Sequence, residues 1–255
     1  MCIIHNQKGK TMKIQLTSKD YYSSIEPFYK SPPRPHMTKT QKVSISLGCD
    51  PEFELLSQDT EGKLRVIENR LFREPNGTIG YDGHALELRP APAKTPKKLV
   101  QNIKNLIQTL PPISATGNEF PLGGHIHIGV PYSPLLLRAL DDFLGKLTTP
   151  KSGKSRQRYG YGHLGDFERK CYGFEYRTPP SMLFSHPEIM RIVLKLVKAL
   201  VYRIIQRGFE YEAPPQNKDY LKLITLCEYN HLIQFIHNYD LTEEDSKPIN
   251  ANWAD

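Results

Sequence analysis

Hydrophobic and polar residues alternate in four short segments of the chain, and this two-residue period is typical of β-strands. In each segment two charged or imidazole residues flank one apolar residue, and a second apolar residue lies beside them. The segments are Glu52-Phe-Glu54-Leu55, Leu86-Glu87-Leu88-Arg89, His125-Ile-His127-Ile128 and Phe174-Glu175-Tyr176-Arg177. Because successive side chains point to opposite faces of a strand, the pattern predicts a sheet with one apolar and one polar face.

Other segments repeat their apolar residues every three or four positions, which is the period of an α-helix. Thr95-Pro96 and Ser133-Pro134 each supply an N-cap residue and a first-turn proline, and the second of these helices is expected to end near Leu147. Two further apolar stripes predict helices at 187–206 and 221–236. Strands that occur singly or as hairpins, with helices between them, indicate the α+β class. We expect one antiparallel-rich sheet with helices packed on its apolar face.

Composition divides the chain into three parts. Residues 1–40 mix Lys, Ser, Thr and Pro and include the Pro-rich run 31–36, which predicts an extended N-terminal arm. Residues 41–210 carry the periodic segments and are expected to form the core domain. Residues 211–255 are expected to add a C-terminal helix and a polar tail that pack on this domain.

Overall composition narrows the class of protein. The net charge of +7 comes from dispersed basic residues, which speaks against a nucleic-acid-binding arm or helix. The four cysteines lie far apart, so neither a zinc ribbon nor a disulfide framework is indicated. No apolar run is long enough to span a membrane, and the N-terminus lacks the apolar segment of a signal peptide. We therefore expect a cytoplasmic protein without membrane contacts.

The residue types on the predicted polar face are selective. Opposite-charge pairs are ordinary stabilising features of a solvated sheet face, where Lys, Thr, Ser and Gln are common. Here the repeated types are Glu, His and Arg, which bind hard cations and planar oxyanions. The combination favours one shared site for a divalent metal and phosphate over four unrelated surface pairs.

Carboxylates and imidazoles are the candidate metal ligands of this face. Asp50, Glu52 and Glu54 share one side of the first strand, and such close like charges repel unless a cation lies among them. Mg²⁺ or Mn²⁺ is the expected ion, and an exposed acidic edge that discourages strand pairing is the alternative. His125 and His127 could ligate this metal, bind phosphate, form half of a zinc site, or be ordinary sheet histidines.

Arginines gather before and within the last polar strand. They are Arg156, Arg158, Arg169 and Arg177, in a segment that is also rich in tyrosine and glycine. Guanidinium groups bind phosphate oxygens in a bidentate manner and stabilise the charge that develops during phosphoryl transfer. The segment therefore indicates an anion-binding loop, with a solvated loop at 151–158 as the alternative. Glu175 is expected to hold a second metal ion.

The ordered set of motifs is more specific than any single one. The motifs are Asp-Pro-Glu-x-Glu, Tyr-Asp-Gly followed by Glu-x-Arg, Gly-Gly-His-x-His-x-Gly, an Arg-rich Tyr-Gly loop and Gly-x-Glu-Tyr-Arg-Thr-Pro, within residues 45–185. In this order they resemble the phage-type carboxylate-amine ligases (COOH-NH2 ligase type 2, or amidoligases). These enzymes belong to the glutamine synthetase and glutamate-cysteine ligase superfamily. The resemblance implies that residues 41–210 form an amidoligase catalytic domain with a sheet like that of glutamine synthetase.

The resemblance also implies a reaction and its cofactors. The chain would join a carboxylate to an amine at the cost of ATP, through an acyl phosphate, with Mg²⁺ or Mn²⁺ bound. The substrates are expected to be small molecules, peptides or protein side chains, and nucleic acid is not expected as a partner. An oligomer is compatible with the sequence.

Roles follow for individual residues. The resemblance implies metal binding by Glu52, Glu54, Glu87, Glu175 and His127. It implies ATP or phosphoryl binding by His125, His127, Arg89, Arg156, Arg158 and Arg169. The residues expected to act in catalysis are Glu52, Glu54, Glu87 and Arg177, together with Asp82, which lies beside the Glu-x-Arg strand and would orient or deprotonate the amine.

Two other functions are compatible with the same residues. A metal-dependent hydrolase would use the carboxylates and imidazoles to activate water, but it gives the four arginines no task. A non-catalytic binding or structural protein would keep the sheet only as an interaction surface.

Overall fold

The computed structural model of the chain describes residues 2–5, 11–14, 45–67, 77–206, 224–239 and 248–254. The Pro-rich run 31–36 lies outside the described residues. The helix predicted at 221–236 begins later than predicted, at Leu226, because Thr225 forms its N-cap and capping box.

Antiparallel strands form the centre of the fold. Strands β1 (Cys2–His5) and β2 (Thr11–Ile14) pair only with each other among the described residues. The main sheet contains β3 (Leu47–Gln58), β4 (Leu64–Ile67), β5 (Ile79–Asp82), β6 (Ala85–Leu88), β7 (Ile113–Ser114), β8 (Gly124–Ile128), β9 (Phe167–Lys170) and β10 (Gly173–Tyr176). Its order is β5-β6-β3-β8-β10-β9, and the second half of β3 also pairs with β4 and β7. The predicted α+β class and antiparallel sheet are confirmed.

Two helices begin at the N-cap residues that the sequence predicts. The hydroxyl groups of Thr95 and Ser133 accept hydrogen bonds from backbone N–H groups at the starts of α1 (Pro96–Ile107) and α2 (Pro134–Leu140). The other α-helices in the described ranges are α3 (Lys146–Thr148), α4 (Lys154–Tyr159), α5 (Pro187–Gln206) and α6 (Leu226–Asn238), and short 3₁₀ turns lie at Thr149–Lys151, Ser181–Phe184 and Ile249–Trp253. No helix in the described ranges is long and apolar enough to cross a membrane.

The helix predicted from Ser133 to about Leu147 is interrupted by a π-helical turn, Asp141–Gly145, between α2 and α3. At this turn the buried Asp141 carboxylate accepts hydrogen bonds from Tyr176 at 2.8 Å and Thr178 at 3.4 Å. Such π turns are rare and occur mostly as single turns within α-helices. The turn therefore ties the helical layer to β10.

The apolar face of the sheet is buried at its centre. Phe53, Leu86, Ile126 and Phe174 alternate with the polar pairs and are each 0% exposed. They share one core with the apolar sides of α1, α2 and α5, and α5 packs against α1, α2 and α6. The helices thus lie on the apolar side, and the opposite face of the sheet is left for polar side chains.

The C-terminal residues pack on this core. The last 3₁₀ turn contacts α1 and β7, and the Ile113 backbone N–H donates to the Asn250 side chain at 3.0 Å. Trp253 is fully buried, and its indole N–H donates to the Phe184 carbonyl at 3.0 Å. The division of the chain at residues 40 and 210 stays a prediction.

Glu228 joins α6 to α5, and this contact makes part of the stability dependent on pH. Burial raises the pKa of Glu228, but hydrogen bonds from Lys195, the Thr225 backbone and Arg191 outweigh it and lower the pKa to about 2. Because an unfolded Glu has a pKa of about 4.3, this group stabilises the fold above that pH and the contribution is lost as pH falls toward 2.

We expect Glu228→Gln to lower the free energy of unfolding by about 1 kcal/mol at pH 7, because it weakens a helix cap and two partly exposed ion pairs. The difference from wild type should shrink between pH 5 and pH 3. Urea unfolding at several pH values measures it. A difference that grows on acidification would contradict the assignment.

Candidate functional site

Strand register places the predicted polar residues on one face of the main sheet. Asp50 of β3 lies opposite His125 of β8, and Glu175 of β10 lies opposite His127. Glu52 lies opposite Glu87 of β6. The predicted common polar face is confirmed by this register, and its centre lies where β3, β8 and β10 are adjacent.

Three side chains at this centre form a cluster, which we call the carboxylate–imidazole cluster: Asp50, His125 and Glu175. One potential ligand atom from each lies within 4.8 Å of the other two. His125 Nδ1 is 3.0 Å from a Glu175 oxygen, 3.7 Å from an Asp50 oxygen and 3.9 Å from a Glu52 oxygen. His125 and Glu175 are buried, and Asp50 is half-buried.

Gly123 allows the His125 ring to pack closely against the backbone. A Cβ atom on Gly123 would lie 2.1 Å from His125 Nε2, so the imidazole can rest against the chain only because position 123 has no side chain. The Gly123 backbone N–H also donates to a Glu52 carboxylate oxygen at 2.5 Å. The Gly-Gly-His segment thus fixes both the imidazole and one neighbouring carboxylate.

The cluster suits a small divalent cation. Adjacent ligands of an octahedral ion with bonds of about 2.1 Å lie about 3 Å apart, which matches the 3.0 Å between His125 and Glu175. One oxygen of Asp50 is buried and accepts no hydrogen bond, although His127 Nε2 lies 2.7 Å away. This oxygen therefore still has a lone pair that a cation could use. Carboxylates with one imidazole fit Mn²⁺ or Mg²⁺.

Burial and neighbouring charges shift the acid pKa values in different directions. Burial raises the pKa of Glu52 and raises that of Glu87 to about 7, in spite of the nearby Arg89. Burial also acts to raise the pKa of Glu175, but hydrogen bonds from His125 and Lys170 outweigh it and lower the pKa to about 2. Glu175 is therefore the carboxylate most firmly held in its charged form.

Two cationic side chains flank the cluster. Lys170 Nζ lies 2.9 Å from one Glu175 oxygen, and Arg177 Nε lies 3.7 Å from the other. Arg177 also donates to Glu168 at 3.0 Å and is half-buried. Lys170 was not predicted, although the alternation in β9 carries the signal: Glu168 lies opposite Glu175, and Lys170 shares its side of the strand.

Four predicted residues lie at the edge of the cluster. Glu87 forms an ion pair with Arg89, and this pair neighbours Glu52 across the strands. Asp82 is exposed at the end of β5, and its charge raises the pKa values of Glu52 and Glu87. His127 contacts Asp50 through Nε2 and the Tyr172 hydroxyl through Nδ1, so it supports the cluster from beside it.

The structure holds Glu54 away from this cluster. Its buried carboxylate accepts hydrogen bonds from the Thr116 hydroxyl at 3.1 Å and from the backbone N–H groups of Glu119 at 2.8 Å and Phe120 at 3.1 Å. Glu54 anchors the 116–120 loop to β3, and its predicted metal and catalytic roles gain no support from this arrangement.

The predicted phosphate-binding arginines have different positions. Arg169 lies opposite Phe174 in the sheet, so it faces away from Glu175, and its guanidinium stacks on Tyr132 at 5.0 Å. Arg158 is exposed at the end of α4, and no hydrogen bond or ion pair in the described structure joins it to the cluster. Arg156 is 1% exposed, and its guanidinium lies 4.8 Å from the centre of the Tyr161 ring, whose hydroxyl contacts His125.

Comparison with known proteins gives one family. A model of the family described as phage phiEco32-like COOH.NH2 ligase-type 2 matches residues 47–216, two thirds of the chain. The match contains the whole main sheet and every residue of the cluster. A comparison with curated proteins finds no match. The family's description indicates enzymes that join a carboxylate to an amine. The chain belongs to the phage phiEco32-like COOH.NH2 ligase-type 2 family.

Proposed function

We propose that the protein is an ATP- and Mg²⁺-dependent carboxylate-amine ligase that forms an amide or peptide-like bond through an acyl phosphate. The observation that carries the proposal is the convergence of Asp50, His125 and Glu175 within 4.8 Å on the buried part of the polar face, with Lys170 and Arg177 beside them. Cation ligands next to cationic side chains suit a bound metal–nucleotide complex.

The reaction needs activation because a carboxylate is a resonance-stabilised anion that an amine does not attack. Transfer of the γ-phosphoryl group breaks its bond to ADP and forms a new P–O bond to the carboxylate. The amine lone pair then forms the C–N bond, phosphate leaves with the electrons of the C–O bond, and the nitrogen loses a proton. No covalent enzyme intermediate is required, so the site must position its substrates and stabilise charge.

The residues divide these tasks. Asp50, His125 and Glu175 would hold Mg²⁺ or Mn²⁺, with Glu52 beside them, and the bound ion would neutralise charge on the phosphate oxygens. Arg177 and Lys170 would donate hydrogen bonds to the phosphoryl group as it moves. Asp82, exposed on the same face, is the residue proposed to orient or deprotonate the amine.

Hydroxylamine tests the proposal without knowledge of the natural amine, because it captures acyl phosphates as hydroxamates. We expect the protein, given ATP, Mg²⁺, hydroxylamine and a panel of amino acids, peptides and short-chain acids, to release ADP and form a hydroxamate with at least one acid. Removal of Mg²⁺ by EDTA should abolish both products, since the phosphate charge is then uncompensated.

The alternatives give different results in the same assay. Hydrolysis of ester or amide probes that needs metal but no ATP would support a metal-dependent hydrolase instead. If calorimetry detects no Mg²⁺-dependent binding of ATP, a non-catalytic binding protein becomes the better description.

A further inference from the structure

The two nitrogens of the His125 ring face different partners. Nδ1 points at the carboxylates and lies 3.0 Å from Glu175, whereas Nε2 contacts the hydroxyl of Tyr161. The Tyr161 ring also meets the imidazole edge to face, with the ring centres 5.8 Å apart. Tyr161 lies in the loop between α4 and β9, outside the four polar strand segments.

The Arg156 side chain holds the Tyr161 ring in place. The Arg156 guanidinium stacks on its ring, and Arg156 Nη2 donates to the Arg177 carbonyl at 2.8 Å. Gly162 makes room for this group: its φ is +65°, and a Cβ atom there would lie 1.5 Å from Arg156 Nη2. The Arg177 side chain also donates to the Tyr161 hydroxyl at 3.5 Å.

An imidazole nitrogen that binds a cation must offer its lone pair, and the hydrogen bond at the other nitrogen decides which one does so. A hydroxyl oxygen that accepts the Nε2 hydrogen leaves the lone pair on Nδ1. Without a cation, Nδ1 donates a hydrogen bond to Glu175 at 3.0 Å. A bound cation would take the place of that hydrogen, and the Nδ1 lone pair would then point at the space shared with Asp50 and Glu175.

We propose that Tyr161 is a positioning residue that accepts the Nε2 hydrogen of His125, so that Nδ1 serves as the cation ligand. Arg156 is part of the same arrangement, because it fixes the Tyr161 ring. The inference rests on the proposed function, since it concerns the cation site of the ligase, and it assigns Arg156 a supporting task instead of direct phosphate contact.

Mn²⁺ binding tests the inference independently of catalysis. We expect Tyr161→Phe to weaken Mn²⁺ binding by about 10- to 100-fold, the usual effect of losing a hydrogen bond to a metal-ligating histidine. Electron paramagnetic resonance of free Mn²⁺ measures the affinity without ATP or substrate. The thermal midpoint of the metal-free variant should match wild type within about 2 °C, because Phe keeps the ring between Arg156 and His125.

Two matched variants serve as controls. Tyr159→Phe removes the same hydroxyl from a residue that is 68% exposed two positions away, and it should leave the Mn²⁺ affinity unchanged. Tyr172→Phe removes the corresponding contact from His127, and it should change the affinity less than Tyr161→Phe does. A larger loss for Tyr172→Phe would overturn the assignment and favour His127 as the ligand.

The tautomer can be observed directly. With saturating Mg²⁺, long-range ¹H–¹⁵N correlation spectra should show His125 protonated at Nε2 in wild type. A ring protonated at Nδ1 in that spectrum would overturn the proposal.

Failure of the inference differs from failure of the proposed function. If wild type binds no Mn²⁺ and no Mg²⁺-ATP, the cation site and the ligase mechanism fail together. If wild type binds Mn²⁺ and Tyr161→Phe binds it equally well, the ligase proposal stands and the role of Tyr161 is refuted.

Discussion

Asp50→Asn is expected to lower the rate of ATP-dependent hydroxamate formation by about 10³-fold, or roughly 4 kcal/mol of transition-state stabilisation. Asn has the shape of Asp but no charge, and a neutral amide oxygen is a poor ligand for a divalent cation beside two other protein ligands. The substitution also removes the charge that contacts His127, whose Nε2 lies 2.7 Å from an Asp50 oxygen. Mn²⁺ affinity should fall together with the rate.

The variant should remain folded, because the Asp50 side chain lies on the polar face and the substitution relieves repulsion from Glu52 and Glu87. Asp142→Asn is the matched control: its side chain is 6% exposed, against 17% for Asp50, but it pairs with Lys146 and Arg138 at the helical side of the fold. It should retain full activity. If Asp50→Asn keeps more than about a tenth of the wild-type rate, the carboxylate–imidazole cluster is not the catalytic metal site.

Trp253→Ala is expected to lower the free energy of unfolding by about 3–5 kcal/mol, the usual cost of truncating a fully buried aromatic side chain. The substitution leaves a cavity between the last 3₁₀ turn and α1, and it deprives the Phe184 carbonyl of its hydrogen bond. Urea unfolding followed by circular dichroism measures the change.

Two variants calibrate this result. Leu226→Ala truncates a side chain that is 56% exposed, and it should change stability by less than about 1 kcal/mol. Trp253→Phe keeps an aromatic ring in the core and should show an intermediate loss. A change of under 1 kcal/mol for Trp253→Ala would show that the C-terminal turn does not contribute to the core.

The polar face was predictable because the two-residue period of a strand is a local property. Large apolar residues alternate with Glu52, Glu87, His125 and Glu175. A sheet that buries the apolar residues on one face must place these four polar residues together on the other. The N-caps at Thr95 and Ser133 were predictable for the same reason, since a cap depends on a few consecutive residues.

The arginine positions were not predictable from composition alone. Arg169 belongs to a strand, and its register opposite Phe174 turns it away from the cluster. Whether a segment is a loop or a strand decides this outcome, and the glycines around 160–173 favoured a loop interpretation. The same strand turns Lys170 toward Glu175. Assigning this segment as a strand therefore determines the direction of both Arg169 and Lys170.

Glu54 and Tyr161 show what depends on distant segments. Glu54 shares the side of β3 with Glu52, but the 116–120 loop supplies three donors that occupy its carboxylate. Tyr161 reaches His125 from a loop that begins more than thirty positions later. Neither contact has a period or a local motif, since both result from tertiary packing.

The glycines at 123 and 162 have a consequence for comparing related sequences. Each occupies space that a neighbouring ring or guanidinium fills, with distances of 2.1 and 1.5 Å from a hypothetical Cβ atom. A descendant that acquires alanine at either place must move His125 or Arg156, so glycine and its partner should be inherited or lost together. Co-variation of these two pairs would let the arrangement be traced through divergent genomes where little else of the chain is alike.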